Sequence, residues 1–281
     1  MAIKNILIIQ PIFAPDVSQT LRNVNSIKSL GTYLKSQGTD GFNVMIVMGG
    51  WANSEDLWQI VVNEGKTQFG PNFNPVRFDK NYGKAYVVNN LYKGVLSQNA
   101  PVDVLMSVDS DIIFPLETEH IFTRLVIAAE KMVEVKKLPW GLISLNQFDQ
   151  GCHWKCCYEN QVEYDVTIRE KAYNEKIVWP SAPSGIAGGC LFINRQYWDK
   201  VGGYSLDRSK VYGPDDAFLL LFCQPNGFSW QMSDSIGIIH PLDTNKEYSD
   251  WKVKTCQRVA HNPYEKHEDT IKESEEFWNK K

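Results

Sequence analysis

The chain has 281 residues, 43% hydrophobic and 22% charged, which suits one large α/β domain or two small ones and excludes a disordered or fibrous composition. A formal net charge of -4 gives no global field toward nucleic acid or anionic lipid, leaving only a local basic patch open. The opening MAIKNILIIQPIF lacks a secretory h-region and cleavage site, and no run approaches the roughly 18 apolar residues of a membrane span, so a cytoplasmic location is expected.

Taken in chain order, the apolar run over 5–13 reads as a buried first strand that reaches Pro11 and then a site-forming turn at Pro15 and Asp16. Leu21, Val24, Ile27, Leu30 and Leu34 recur at three and four, predicting an amphipathic helix over 18–37. A second strand over 42–50 completes a right-handed parallel unit. A helix capped by Ser54, a short strand over 75–80 and a helix over 83–98 follow. The run VDVLMSVDSDIIF predicts a strand through Asp109, Ser110 and Asp111, and 118–137 a helix ending in basic residues, as the helix dipole favours. The segment WGLISLNQFD predicts another strand.

Residues 150–185 lose periodicity and read as a loop-rich segment on the acceptor side. Within it, Cys152, His153, Cys156 and Cys157 resemble half a zinc site, but no second ligand pair follows at a recognisable spacing, and reduced thiols are the simpler reading. Trp154, Tyr158 and Trp179 are candidates to stack on an acceptor, with core packing as the default for any single Trp. A strand and short helix over 188–204, with Gly202 and Gly203 as turn residues, a helix over 214–224 and a last strand over 228–241 follow. Trp251 and Trp278 are packing anchors in a charged tail.

The chemistry concentrates where apolar strands end in carboxylates. Asp109 and Asp111, two apart in an extended segment, face one side and reach one ion; such a pair holds Mg²⁺ or Mn²⁺ on a diphosphate. Ligands of open α/β sheets bind outside the carboxyl ends of strands, which is where this pair lies. Taken alone, the pair favours an acidic surface turn over a metal site. Lys84, after Gly83 at a helix start, is placed to meet an anionic ligand or to serve as a solvated residue at a helix cap. The paired glycines Gly188 and Gly189 suit either a close backbone approach to a sugar or a strand bulge. Asp215 and Asp216 open a helix, as a cap or as an acid-base pair. His240 ends an apolar strand and is either a structural histidine or a third metal ligand.

In this order, NYGKAYVVNN, VDSD, GIAGGCLFINRQYWDKVGGY and YGPDDAFLL resemble the GT-A class of glycosyltransferases, in particular family-2-like enzymes and the C-terminal region of galactosyltransferase-like ones. The resemblance carries motifs over about 80–240 and reaches the N-terminus only in element order. It implies a Rossmann-like, mostly parallel central sheet flanked by helices over 1–245, with a nucleotide half over about 1–115, an acceptor half over about 116–245 and a C-terminal helical extension over 246–281. It implies a D-x-D site in which Asp109, Asp111 and His240 hold Mn²⁺ or Mg²⁺ on the diphosphate of a UDP-linked or other sugar nucleotide. Pro11, Lys84, Ser110, Gly188 and Gly189 then lie beside that donor. Where the family commonly has Glu-Asp this chain has Asp215 and Asp216, so the pattern is altered at its first place. The alignment makes Asp216 the base and Asp215 its acceptor-binding partner.

The implied activity is hexosyl or pentosyl transfer to a hydroxyl with inversion. The acceptor is open among glycan, lipid-linked sugar, protein and a hydroxylated base of modified DNA. A nucleotidyltransferase and an inactive sugar-nucleotide-binding protein are the alternatives. The first lacks its Gly-rich basic loop in QPIFAPDVS, and retention of the acidic positions argues against the second.

Overall fold

The structure, a computed structural model, describes residues 3–147, 158–180, 188–213, 215–242, 245–262 and 264–279. The chain opens with β1 (Asn5–Ala14), α1 (Val17–Gln37), β2 (Asn43–Ala52), α2 (Glu55–Phe69), β3 (Val76–Arg77), α3 (Gly83–Ser97) and β4 (Val104–Val108). It continues through α4 (Ile121–Lys136), β5 (Trp140–Gln147), β6 (Tyr158–Ile168), β7 (Lys171–Pro180), β8 (Cys190–Asn194), α5 (Arg195–Val201), α6 (Leu206–Ser209) and α7 (Asp215–Leu221). The last elements are β9 (Ser229–Ile238), α8 (Lys246–His261) and α9 (His267–Asn279).

These strands form one sheet in the order β3-β2-β1-β4-β8-β5-β9-β7-β6. The first four pair in parallel, while β8 runs antiparallel between β4 and β5. Along β1 the alternation of a strand sends Ile6, Ile8 and Ile12 into a core with Ile27, Leu30 and Phe122 on one face. Leu7 and Ile9 enter a second core with Val88, Leu91 and Tyr197 on the other. Both faces are covered, so β1 is apolar from Ile6 to Ile9, and the buried Gln10 interrupts the run where the strand nears the cleft. The chain moves outward from β1 to β2 and β3, then returns to place β4 on the other side of β1. That reversal leaves a crevice at the carboxyl ends of β1 and β4, where α/β sheets bind ligands.

Three expectations are corrected. First, 158–180 is not loop but a long hairpin closing the sheet edge, with Ile168 paired to Lys171 and a two-residue turn at Arg169 and Glu170, both left-handed at φ 48° and 69°. That turn normally signals itself with Asn or Gly, and here it has neither. Trp179 is 6% exposed in the core rather than available to an acceptor, and Lys136 lies over its ring. The candidates Cys152, His153, Trp154, Cys156 and Cys157 lie outside the described residues, as does the side chain of Tyr158.

Second, the N-terminal half of α1 buries polar side chains. Leu21 is 52% exposed, whereas Gln19, Thr20, Asn23 and Ser26 are buried. Their partners explain the inversion: Asn23 brackets the Phe13 backbone at 3.2 and 2.7 Å, and the Ser26 hydroxyl donates to the Ile112 carbonyl at 2.5 Å. This polar stripe satisfies backbone groups at strand ends that no ladder reaches.

Third, β4 stops at Val108, and Asp109, Ser110 and Asp111 form a turn instead of continuing the strand. The carboxylates converge through that turn, not through strand alternation. Capping by Ser54 and the turn role of Gly202, which is left-handed at φ 78°, are as expected. No helix among the described residues is long and apolar enough to cross a membrane.

Candidate active site

The turn after β4 is held from three sides. The Gln10 amide donates to the Asp109 carbonyl at 3.1 Å, and the Asp109 N–H donates to the Gly189 carbonyl at 2.7 Å. Beyond the turn, Ile113 and Ile239 exchange backbone hydrogen bonds at 2.8 and 2.9 Å. That bridge brings His240, the residue after Ile239, onto the turn, and the imidazole Nε2 lies 3.2 Å from Asp111 Oδ1.

Asp109, Asp111 and His240 each offer one ligand atom, all within 4.8 Å of one another. Two carboxylates and an imidazole form a donor set that accepts a divalent cation. The imidazole is oriented from behind: its Nδ1 donates to Gln147 Oε1 at 2.9 Å, which leaves Nε2 to face the cluster. Gln147 was not among the residues singled out from sequence. Its Nε2 is buried with no hydrogen-bond partner among the described residues.

Two cationic side chains, Lys84 and Arg22, offset the acidic ones. Lys84 lies 2.8 Å from Asp109 and 3.4 Å from Asp215, and it donates to the Gly188 carbonyl at 3.1 Å. It thereby joins the turn after β4 to the start of α7. Burial disfavours its charge, but Asp109 and Asp215 prevail and hold it ionised well above the ordinary lysine range. Arg22, on α1, pairs with Asp111 at 2.6 Å and donates to the carbonyls of Pro241 and Leu242 at 2.7 and 2.8 Å.

Burial raises the Asp109 carboxyl, partly offset by Lys84. Burial would also raise Asp111, but the hydrogen bond and charge of His240, with Arg22, hold it well below the usual carboxylate range. Burial works against a charged His240, yet Asp111 and then Asp109 raise it above the ordinary imidazole value.

Asp215 and Asp216 both lie in the first turn of α7, and Asp216 is pushed up to about 6 by burial and then by the charge of Asp215. A Cβ on Gly188 would run into the Asp216 carboxylate, and one on Gly189 would come within 2.6 Å of the Gln147 amide. These glycines therefore make room for two site side chains. Gly83 is left-handed at φ 79°, and a Cβ there would strike the Val211 carbonyl. Asn81 bonds the Gly83 N–H at 3.1 Å and donates to Ser274 of α9 at 3.0 Å, which ties the helix bearing Lys84 to the C-terminal helices.

Pro11, Lys84, Asp109, Ser110, Asp111 and His240 line one cleft. Its free space, including the part open to solvent, is about 850 Å³. The opposite wall was not read from sequence as part of any site: Tyr212, Tyr248, Trp251 and Lys252, the last three from α8. The anchoring of Trp251 and Trp278 is as expected, and they pack with Phe13, Trp51 and Tyr248. The Trp251 indole N–H is buried without a partner among the described residues.

Neither a family model nor a curated protein sequence matches this chain. Solved structures do share its fold. The mannosyltransferase PcManGT from Pyrobaculum calidifontis, in complex with GDP-Man and Mn²⁺, matches with a TM-score of 0.56 at 13% identity over 89% of this chain. S. aureus TarS 1–349 matches with a TM-score of 0.53 at 11% identity over 95% of this chain, and in complex with UDP-GlcNAc with 0.54 at 13%. The fold is GT-A-like. The present chain spans 60% of the mannosyltransferase and 68% and 69% of the two TarS structures. At these identities, what a GT-A-like fold shares with its neighbours is architecture, and its chemistry must be argued from its own residues.

Proposed function

We propose that the chain is a metal-dependent glycosyltransferase that moves a sugar from a nucleoside-diphosphate sugar to an acceptor hydroxyl with inversion. The observation that carries this reading is the convergence of Asp109, Asp111 and His240 at the switch point of the sheet, in a cleft that also contains Lys84. That structural neighbours bind Mn²⁺ with GDP-Man, or UDP-GlcNAc, supports the same donor class. Asp109, Asp111 and His240 would hold the ion, Mn²⁺ in preference to Mg²⁺ because one ligand is nitrogen. A bound divalent ion supplies Lewis-acid neutralisation of charge on the departing diphosphate.

The remaining work falls to side chains of the chain. Lys84 and Arg22 add positive charge where the phosphates enter, and Pro11 and Ser110 border the donor. Gly188 and Gly189 leave room for the Asp216 carboxylate and for the Gln147 amide that orients His240. Asp216, with a pKa of about 6, is ionised at neutral pH yet basic enough to accept a proton. It takes the acceptor proton as the acceptor oxygen bonds to the anomeric carbon, and the bond from that carbon to the diphosphate oxygen breaks with its electron pair. Attack from the face opposite the leaving group inverts the centre. Asp215, held by Lys84, orients the acceptor. Residues 1–245 carry this chemistry, and the extension over 246–281 contributes Tyr248, Trp251 and Lys252 to the cleft wall.

The test is thermal unfolding with UDP-glucose, UDP-GlcNAc and GDP-mannose, each with and without Mn²⁺. A ligand of the native state raises Tm, so at least one donor should do so only with Mn²⁺. No stabilisation by any of them overturns the reading. Retained anomeric configuration in the product, read by NMR, would overturn inversion alone.

A further inference from the structure

Beyond the donor cleft a second depression opens, and Tyr212 and Lys252 belong to the walls of both. Its floor is one face of α8, where Ser249, Lys252, Val253 and Cys256 recur at three and four, and Leu242 forms the facing rim. Two apolar side chains here are turned to solvent: Leu242 is 64% exposed and Val253 53%. The same helix buries Tyr248, Trp251 and Val259, so its apolar content on the groove side is surplus to the core.

The groove spans the reacting region. At one end the Leu242 carbonyl accepts from Arg22, the guanidinium that holds Asp111. At the other, Tyr212 lies three residues before Asp215, which is 3.4 Å from Lys84 of the donor cleft. Among the described residues, no lining side chain is a carboxylate.

We propose that this groove is the acceptor site, and that the acceptor carries its hydroxyl on an apolar or aromatic body. The assignment rests on the transferase reading. The occupant follows from continuity and surface chemistry: a molecule on Leu242, Val253 and Tyr212 reaches the donor cleft through the shared Tyr212 and Lys252 and removes two exposed apolar side chains from water. Leu242 and Val253 thus select the body of the acceptor, while Asp216 acts on its hydroxyl.

Cys256 is a free thiol at this site and serves as the reporter. Its alkylation by N-ethylmaleimide is followed on the Cys256 peptide by mass spectrometry, with Mn²⁺ and UDP present. Saturating 4-methylumbelliferyl β-glucoside should slow the reaction by about fivefold, by mass action on a bound state, and methyl β-glucoside should not. Leu242→Asp and Val253→Asp, both at exposed positions, should abolish the protection while leaving Mn²⁺-dependent stabilisation by UDP unchanged. Absence of protection by the aryl glucoside, equal protection by the methyl glucoside, or protection that survives in both variants overturns the acceptor assignment. Failure of the transferase reading shows separately, as loss of the Mn²⁺-dependent stabilisation in the unmodified protein.

Discussion

At the scale of single residues, Asp109 and Asp111 differ in their surroundings, and the difference predicts how each replacement behaves. Asp109 faces Lys84, whereas Asp111 is shared between Arg22 and His240. Asp109→Asn and Asp111→Asn should each lower Mn²⁺-dependent transfer by about a hundredfold or more, the scale of a lost metal ligand. Circular dichroism should show an intact fold, and full activity in either variant would return the pair to a surface turn. Asp216 makes a prediction of opposite sign for activity and stability. Its folded pKa of about 6 lies above the ordinary carboxylate value, so its favourable contribution is complete below about pH 4 and lost as pH rises through about 6. Asp216→Asn should therefore raise Tm at pH 8, match the parent near pH 4 and abolish transfer throughout. In the parent, the rate should fall tenfold per unit below about pH 6, a midpoint that a bound cation lowers further. Gln147→Leu should weaken Mn²⁺ binding about tenfold or more, measured by electron paramagnetic resonance, because His240 loses the acceptor that orients it. The residues in short motifs were legible in sequence because strand ends and helix starts announce them. Arg22 and Gln147 were not: their partners lie 89 and 93 positions away, and no local pattern connects them.

At the scale of elements, the C-terminal helix pair is part of the cleft as much as an appendage to it. Trp278 is fully buried among Phe13, Tyr248, Trp251 and Phe277. Trp278→Ala should cost about 3–5 kcal/mol in denaturant unfolding, the range for deleting a large buried aromatic. Because the same cluster positions Tyr248 and Trp251, sugar-nucleotide binding should weaken in that variant even where it remains folded. A loss of stability with no loss of binding would separate the helices from the donor site. Strands and helices were largely readable from periodicity. The hairpin of β6 and β7 escaped because Arg169 and Glu170 carry no turn signature, although Val162, Tyr164 and Val166 alternate as a strand should. The burying face of α1 was read correctly at Ile27, Leu30 and Leu34 but not in its N-terminal half, where hydrogen bonding to strand ends outweighs the apolar pattern.

At the scale of the whole molecule, the order of strands decides where the site lies. The first four strands in sheet order, β3, β2, β1 and β4, are parallel, and antiparallel β8 separates them from β5. The crevice at β1 and β4 therefore has loops from both halves of the chain above it, which is how residues as distant as Pro11 and Lys252 share one cleft. That arrangement was legible as an architecture, through the alternation of elements and the resemblance they carry. The hands that meet across the cleft were not, since pairing of His240 with the turn depends on the Ile113 and Ile239 bridge. The contact of Phe13 with Trp278, at 5.6 Å between ring centroids, adds a temporal consequence. It joins the first strand to the last helix, the kind of long-range closure that slows a folding chain. Refolding from denaturant should thus show tryptophan emission and recovery of nucleotide binding sharing their slowest phase. Until that ring of chain has closed, a nascent or refolding molecule is a sheet with helices and no place for a substrate.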